Sequence, residues 1–154
     1  MKRIYIDPEL CKACKNCVLA CMVQHGGFES MLELDLTDIT NEPRNEVVLD
    51  DKGNPIPLLC RHCDDPTCLN ACMSGALRRD EDTGHITCDK DQCAGCWMCV
   101  MSCPYGMIKP AAGTASIALK CEMCSGRDMP RCVENCPTGA ITVIEVDLNK
   151  GVIK

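Results

Sequence analysis

Apolar residues in this chain come in short bursts rather than long periodic runs. Ile4-Tyr5-Ile6 leads into Asp7, and Ile86-Thr87-Cys88 leads into Asp89, so a short strand is predicted before each aspartate. Residues 77–79, 84–88 and 141–146 read as hairpin strands, with polar glycine turns at Asp82-Thr83-Gly84 and Asn149-Lys150-Gly151. Residues 17–24, 68–73, 99–103 and 132–136 suit short helices or single helical turns, and Pro104 and Pro137 end two of them. Asn45 to Asp50 reads as a strand, followed by the turn Asp51-Lys52-Gly53-Asn54. Lys109 to Lys120 shows no comparable strand ahead of an aspartate. No apolar run approaches the length of a membrane span, so no direct membrane span is expected.

The pattern repeats. At an offset of 82, Ile4 to Cys11 aligns with Ile86 to Cys93, and the match continues through Cys21 and Cys103. Cys68-Leu-Asn-Ala-Cys72-Met-Ser-Gly-Ala76-Leu77 likewise aligns with Cys132-Val-Glu-Asn-Cys136-Pro-Thr-Gly-Ala140-Ile141. A duplicated unit of about half the chain is the simplest account. Residues 22–59 fall outside it. They carry eight acidic residues, Glu29, Glu33, Asp35, Asp38, Glu42, Glu46, Asp50 and Asp51, against only Arg44 and Lys52. A solvated insertion over the rest of the molecule is the favoured reading, and a docking surface the sharper one.

Composition explains how so short a chain can fold. Aromatic residues are 3% of its 154 residues, a poor supply for a core, whereas cysteines number 17. No apolar leader precedes Cys11, so a reducing cytoplasm, where cysteines bind metal rather than pair, is the expected compartment. Sixteen cysteines form four groups: Cys11, Cys14, Cys17, Cys21; Cys60, Cys63, Cys68, Cys72; Cys93, Cys96, Cys99, Cys103; and Cys121, Cys124, Cys132, Cys136. The first and third groups read C-x2-C-x2-C-x3-C, the bacterial run that holds [4Fe–4S] clusters. Zinc sites typically use two separated C-x2-C pairs, so iron–sulfur chemistry is favoured over zinc or disulfides. Four [4Fe–4S] clusters are expected. Each adds a net −2 with its four thiolates, which takes the formal charge of −6 to roughly −14 and disfavours nucleic acid as a partner.

In two-cluster ferredoxins the last cysteine of each run serves the other cluster. The second group leads into the third through strand, glycine turn, strand and aspartate, which is the ferredoxin linkage. The expected ligand sets are therefore Cys11, Cys14, Cys17 with Cys136 (cluster 1); Cys60, Cys63, Cys68 with Cys103 (cluster 2); Cys93, Cys96, Cys99 with Cys72 (cluster 3); and Cys121, Cys124, Cys132 with Cys21 (cluster 4). The fold class expected is α+β: two ferredoxin-like modules of two [4Fe–4S] clusters each, related by internal duplication, with short strands and helices around the clusters. Residues 1–25 plus 115–154 form an outer module, 26–59 an acidic insertion, and 60–114 an inner module.

The remaining candidates have plainer readings. Cys88 aligns with Ile6 and reads as a small buried residue beside a cluster rather than a ligand. His25, His62 and His85 read as structural or surface residues, because no site lacks a cysteine. Met22, Met73, Met98 and Met123 read as soft filler around the clusters. Trp97 reads as a shield. Lys120, Arg127 and Arg131 read as modest tuners of cluster potential or as charge balance.

Three stretches carry a family resemblance: residues 60–76 (C-R-H-C-D-x-P-x-C-x-x-A-C-x-S-G-A), residues 95–106 (G-C-W-M-C-V-M-S-C-P-Y-G) and residues 120–140 (K-C-E-M-C-x-x-R-x-x-P-R-C-V-x-x-C-P-T-G-A). The chain resembles the four-cluster electron-transfer subunits found with molybdenum or tungsten oxidoreductases and hydrogenases (the DmsB/HycB-like family). Within them it is most similar to the carbon monoxide dehydrogenase-associated iron–sulfur subunit, the CooF type. It departs from the pattern at Met22 and Met73, which stand where proline follows the last cysteine of a group. The resemblance implies the same exchange of last cysteines and a non-catalytic electron-transfer subunit. That subunit would relay single electrons between a catalytic oxidoreductase, carbon monoxide dehydrogenase favoured, and a second redox protein. The second protein would be a flavin-dependent NAD(P)H oxidoreductase, a ferredoxin or a hydrogenase. A tungsten aldehyde oxidoreductase or formate dehydrogenase is the alternative catalytic partner. A freely diffusing polyferredoxin and a redox- or iron-sensing structural module are the other readings.

Overall fold

A computed structural model of the chain describes residues 1–113, 116–147 and 151–153. Its elements run β1 (Lys2–Ile6), α1 (Asn16–Gly26), β2 (Glu46–Leu49), β3 (Pro55–Leu58), α2 (Thr67–Asn70), β4 (Leu77–Arg79), β5 (Ile86–Cys88), α3 (Met98–Ser102), β6 (Ile108–Pro110), β7 (Ala118–Lys120), α4 (Arg131–Glu134), β8 (Ile141–Asp147) and β9 (Gly151–Ile153). The fold is α+β. The turn expected at residues 149–151 lies mostly outside the described residues.

The internal repeat is visible in the register. Antiparallel β4–β5 pairs Leu77 with Cys88, and antiparallel β1–β8 pairs Ile141 with Ile6. These are the same two positions of the repeat, once from strands adjacent in sequence and once from strands at opposite ends of the chain. The bond that closes each strand repeats too: Asp89 N–H donates to the Ala76 carbonyl and Asp7 N–H to the Ala140 carbonyl, both at 2.8 Å. Asp7 and Asp89 then accept from the backbone two residues on, at 3.1 and 3.0 Å, which turns the chain into the first cysteine loop. Within each half two helices pack together, α2 on α3 and α1 on α4.

Two small cores result. Leu77, Ile86, Cys99, Ile108 and Ala118 fill one, and Cys17, Val47, Leu59, Cys132 and Ile141 the other. Cysteines belong to both, as the shortage of aromatic residues requires.

The helices at the second and fourth cysteine groups are single turns, as the three-residue gap before each last cysteine suggests. The structure differs from the sequence reading in two places. Residues 108–120 contain an antiparallel hairpin, β6–β7, joining the third and fourth groups. Its three-residue strands are too short for a periodic signal, and Pro110 weakens it further. The acidic insertion is only partly solvated. Leu32, Leu36 and Ile39 are exposed, but Arg44, Asn45, Val47 and Leu59 are buried. Arg44 and Asn45 tie the insertion to α1: the Arg44 N–H donates to Cys21 Sγ at 3.2 Å and Asn45 Nδ2 to the Cys17 carbonyl at 3.0 Å.

Candidate iron–sulfur centres

Tight local backbone curvature brings the cysteines of each group together. In the first group Ala13 and Lys15 adopt left-handed conformations (φ 54° and 58°), and in the third Gly95 and Trp97 do the same (62° and 61°). Alternating left-handed residues curl a C-x2-C-x2-C loop so that its three sulfurs face one volume. Lys15 and Trp97 are also the N-caps of α1 and α3, which sets Cys17 and Cys99 in the first helical turn. The second and fourth groups bend at His62 (φ 44°) and at Met123 and Cys124 (55° and 53°). Among the described residues, every non-glycine residue with positive φ lies inside a cysteine group. Each costs about 1 kcal/mol or more, so the backbone holds strain where something must repay it.

Two of the resulting quartets frame cavities. Cys60, Cys63, Cys68 and Cys103 line one, together with His62, Ile86, Met107, Ile108 and Lys120. Cys72, Cys93, Cys96 and Cys99 line the other, with Leu77, Cys88, Trp97 and Ala118. In the other half Cys17 lies within electrostatic reach of Cys14, Cys11 and Cys136, and Cys132 within reach of Cys121, Cys124 and Cys21. Among the described residues no three His, Cys, Asp or Glu side chains converge closely enough for a single ion. Two of the quartets surround a volume instead. Two links join neighbouring quartets: Cys132 packs in one core with Cys17, and the Lys120 ammonium reaches both Cys60 Sγ at 3.3 Å and the Cys121 carbonyl at 3.0 Å. Cys14 and Cys96 are the two exposed cysteines, the first in the quartet of Cys17 and the second in the quartet of Cys72, Cys93 and Cys99.

None of the seventeen cysteines is paired in a disulfide. Burial pushes the Cys17 and Cys21 thiols up to about 11 and Cys121 up to about 12; Cys132 is raised as well, by burial and then by the cysteines around it. Such thiols hold their protons at neutral pH, and metal binding must displace them. Cys72 and Cys136 are the exceptions. Burial raises both, but donors pointing at sulfur outweigh it and hold them below the usual thiol value. The Leu77 N–H reaches Cys72 Sγ at 3.4 Å, and Ser74 and Thr138 hydroxyls lie 3.8 Å from Cys72 and Cys136. Cys103 accepts from Met107 N–H at 3.4 Å, so every group's last cysteine meets a donor. These donors stabilise thiolate charge.

The residues present fit a [4Fe–4S] core. Each quartet would offer four soft thiolates in a partly apolar setting. His62 adds a specific sign. Its Nδ1 accepts the Ile86 N–H at 2.9 Å, which leaves the proton on Nε2, and that buried atom has no partner. Burial, with nearby cations, holds the ring neutral, down to about 2. An unpaired N–H at the wall of a four-cysteine cavity suits a core that carries sulfide acceptors. Such a core would supply reversible one-electron storage; the chain holds it, spaces it from its neighbours and shields it from water.

The other candidates fall into place. Cys88 lies partly buried at the edge of the Cys72–Cys93–Cys96–Cys99 cavity, its thiol raised to about 12 by burial and then by Cys93, Cys99 and Cys72. Trp97 lines the same cavity. His85 is buried beside His62, ring centroids 4.9 Å apart, and its Nε2 meets the Lys2 carbonyl at 2.8 Å. His25 lies in a cleft with Asn41, Glu42 and Lys90. Met22 and Met123 are buried as filler, but Met73 is 85% exposed and Met98 is also exposed, because the turn after Cys72 and the outer face of α3 point to solvent. Arg127 pairs with Glu134 at 2.7 Å and Arg131 donates to Gln24, which is charge balance and packing. Sequence reasoning missed Arg44. Its guanidinium is buried, donating to the Lys120 carbonyl at 3.1 Å and to Glu122 at 2.8 Å. Its signal was its place as the only arginine in the acidic insertion.

Comparison with known proteins agrees with this chemistry. Residues 52–146 match the model of the 4Fe-4S dicluster domain, a stretch that contains the second, third and fourth cysteine groups. An iron-sulfur protein of Rhodospirillum rubrum is 36% identical, over 94% of this chain and 82% of that protein. The electron transport protein HydN of Escherichia coli K12 is 35% identical, over 96% of this chain and 89% of that protein. The protein NrfC of the same strain is 35% identical over 92% of this chain and 64% of its own length. A solved chain of the active site complex BamBC of benzoyl coenzyme A reductase, with 1,5-dienoyl-CoA, shares the fold at a TM-score of 0.50 and 21% identity, over 100% of this chain and 82% of that one. The chain thus belongs to the 4Fe-4S dicluster family of ferredoxin-like electron transport proteins, as a non-catalytic iron–sulfur electron-transfer subunit.

Proposed function

We propose that the chain carries four [4Fe–4S] clusters in a single file and relays electrons between two docked redox proteins. The supporting observation is the pair of links between quartets, Cys132 with Cys17 in one core and Cys60 with Cys121 through the Lys120 ammonium. With the exchanged ligand sets given above, these links would order the clusters 1, 4, 2, 3. The exposed Cys14 and Cys96 then belong to the two terminal clusters, one for each partner. An outer module of residues 1–25 plus 115–154 and an inner module of 60–114 meet between clusters 4 and 2. Residues 26–59 clamp the outer one.

Carbon monoxide dehydrogenase is the favoured catalytic partner, on the strength of the sequence resemblance at residues 60–76, 95–106 and 120–140. A flavin-dependent NAD(P)H oxidoreductase, a ferredoxin or a hydrogenase would take the electrons onward. A tungsten aldehyde oxidoreductase or formate dehydrogenase would serve the same geometry as donor. The test is anaerobic purification from the native host, with iron analysis and identification of co-purifying proteins. About sixteen irons per chain and a stoichiometric oxidoreductase are expected. About eight irons or fewer would refute the four-cluster count, and a monomer with no companion would leave a freely diffusing carrier instead.

A further inference from the structure

Lys120 is one of the largest fully buried side chains in the protein, 1% exposed. It ends β7, which packs on β5 where the two halves meet. Its ammonium donates to Cys60 Sγ at 3.3 Å, to the Ile86 carbonyl at 2.8 Å and to the Cys121 carbonyl at 3.0 Å. None of these acceptors is a carboxylate, and Lys120 is in none of the ion pairs among the described residues. Glu122, two residues on, is engaged by Arg44, whose guanidinium also donates to the Lys120 carbonyl. A buried ammonium without a counter-charge costs several kcal/mol. Among its hydrogen-bond partners at the described residues, the Cys60 sulfur is the one that can carry negative charge.

The internal repeat supplies a control. Cys60 and Cys121 are the first cysteines of equivalent groups, so the residue equivalent to Lys120 is Leu59. Leu59 is buried in the apolar core of the other half, against Val47 and Ile141. One half therefore places an ammonium on the sulfur of a neighbouring quartet where the other places a hydrocarbon. At this position two otherwise similar modules differ in charge.

We propose that Lys120 is an internal counter-ion that raises the reduction potential of the cluster held by Cys60, Cys63, Cys68 and Cys103, and thereby fixes where an electron rests as it crosses between the halves. This rests on the four-cluster reading above. One-electron reduction adds negative charge to a core and its thiolates. A fixed cation hydrogen-bonded to one of those thiolates stabilises the reduced form more than the oxidised form. The cluster of the other half that adjoins it, with Leu59 at the equivalent position, receives no such bond.

The experiment is a redox titration of the iron-loaded protein followed by electron paramagnetic resonance, on wild type, Lys120→Met and Lys120→Arg. In Lys120→Met one cluster's reduction equilibrium should fall tenfold or more, about 59 mV for one electron. Lys120→Arg should restore most of that shift, which a merely space-filling role would not. Wild-type potentials in fully loaded Lys120→Met would overturn the proposal. Should that variant fail to load, wild type labelled with nitrogen-15 lysine decides. Pulsed resonance should then detect a labelled nitrogen coupled to one reduced cluster, and its absence would overturn the proposal. An iron content of about eight or fewer in wild type would instead defeat the four-cluster reading.

Discussion

Replacing Arg44 with methionine tests whether the acidic insertion is a clamp on the iron–sulfur core. The Arg44 side chain is 6% exposed and pairs with Glu122 at 2.8 Å, and it also satisfies the Lys120 carbonyl. Methionine keeps much of the apolar volume but removes the charge and both donors. Breaking a fully buried pair costs about 3–5 kcal/mol. Glu122 remains 26% exposed, so water softens its isolation, and a loss of about 2–3 kcal/mol is expected. Cluster loss is irreversible, so the measurable quantity is a rate: the anaerobic bleaching of the visible cluster absorbance in guanidinium. If the clamp opens before the clusters leave, bleaching accelerates by about 30- to 160-fold. Glu122→Gln supplies the second arm. The double variant should bleach more slowly than the product of the single effects requires, because the second substitution removes a partner already stranded. Wild-type bleaching in Arg44→Met, or strict additivity in the double variant, would refute the reasoning.

Gly95→Ala should lose about four irons per chain, read by iron and sulfide analysis, because its Cβ would clash with the Ser116 carbonyl oxygen. The equivalent residue Ala13 tolerates the same left-handed backbone, so the clash rather than the dihedral is the cause, and an unchanged iron content would refute it. Cys88→Ala should keep full iron and full visible absorbance, whereas loss of a whole cluster would make Cys88 a ligand. Retention of iron against a chelator should weaken as pH is lowered from mildly alkaline to neutral. Binding consumes thiolates, and Cys17, Cys21 and Cys121 as free thiols hold their protons up to about 11, 11 and 12. Competition that does not change with pH would contradict that linkage.

The chemistry of this protein is written along the chain because thiol spacing is a local property. C-x2-C-x2-C-x3-C can curl three sulfurs toward one volume using only the residues between them, and the aspartate-ended strands mark where each loop begins. The repeat was legible for the same reason, down to the equivalence of Cys88 with Ile6 and of Leu77 with Ile141. What sequence could not decide were contacts between residues far apart that carry no spacing signal. The β6–β7 hairpin is too short to announce itself. Arg44 looked like a stray cation in an acidic insertion until the fold brought it 76 residues forward to the Lys120 carbonyl. Lys120 shows the division most clearly. Its place before Cys121 marked it only as a modest tuner or as charge balance. The packing of β7 on β5 carries its ammonium to Cys60 of the neighbouring group as well as to the Cys121 carbonyl. Local chemistry follows from spacing; which charge faces which sulfur depends on how the two halves close on each other.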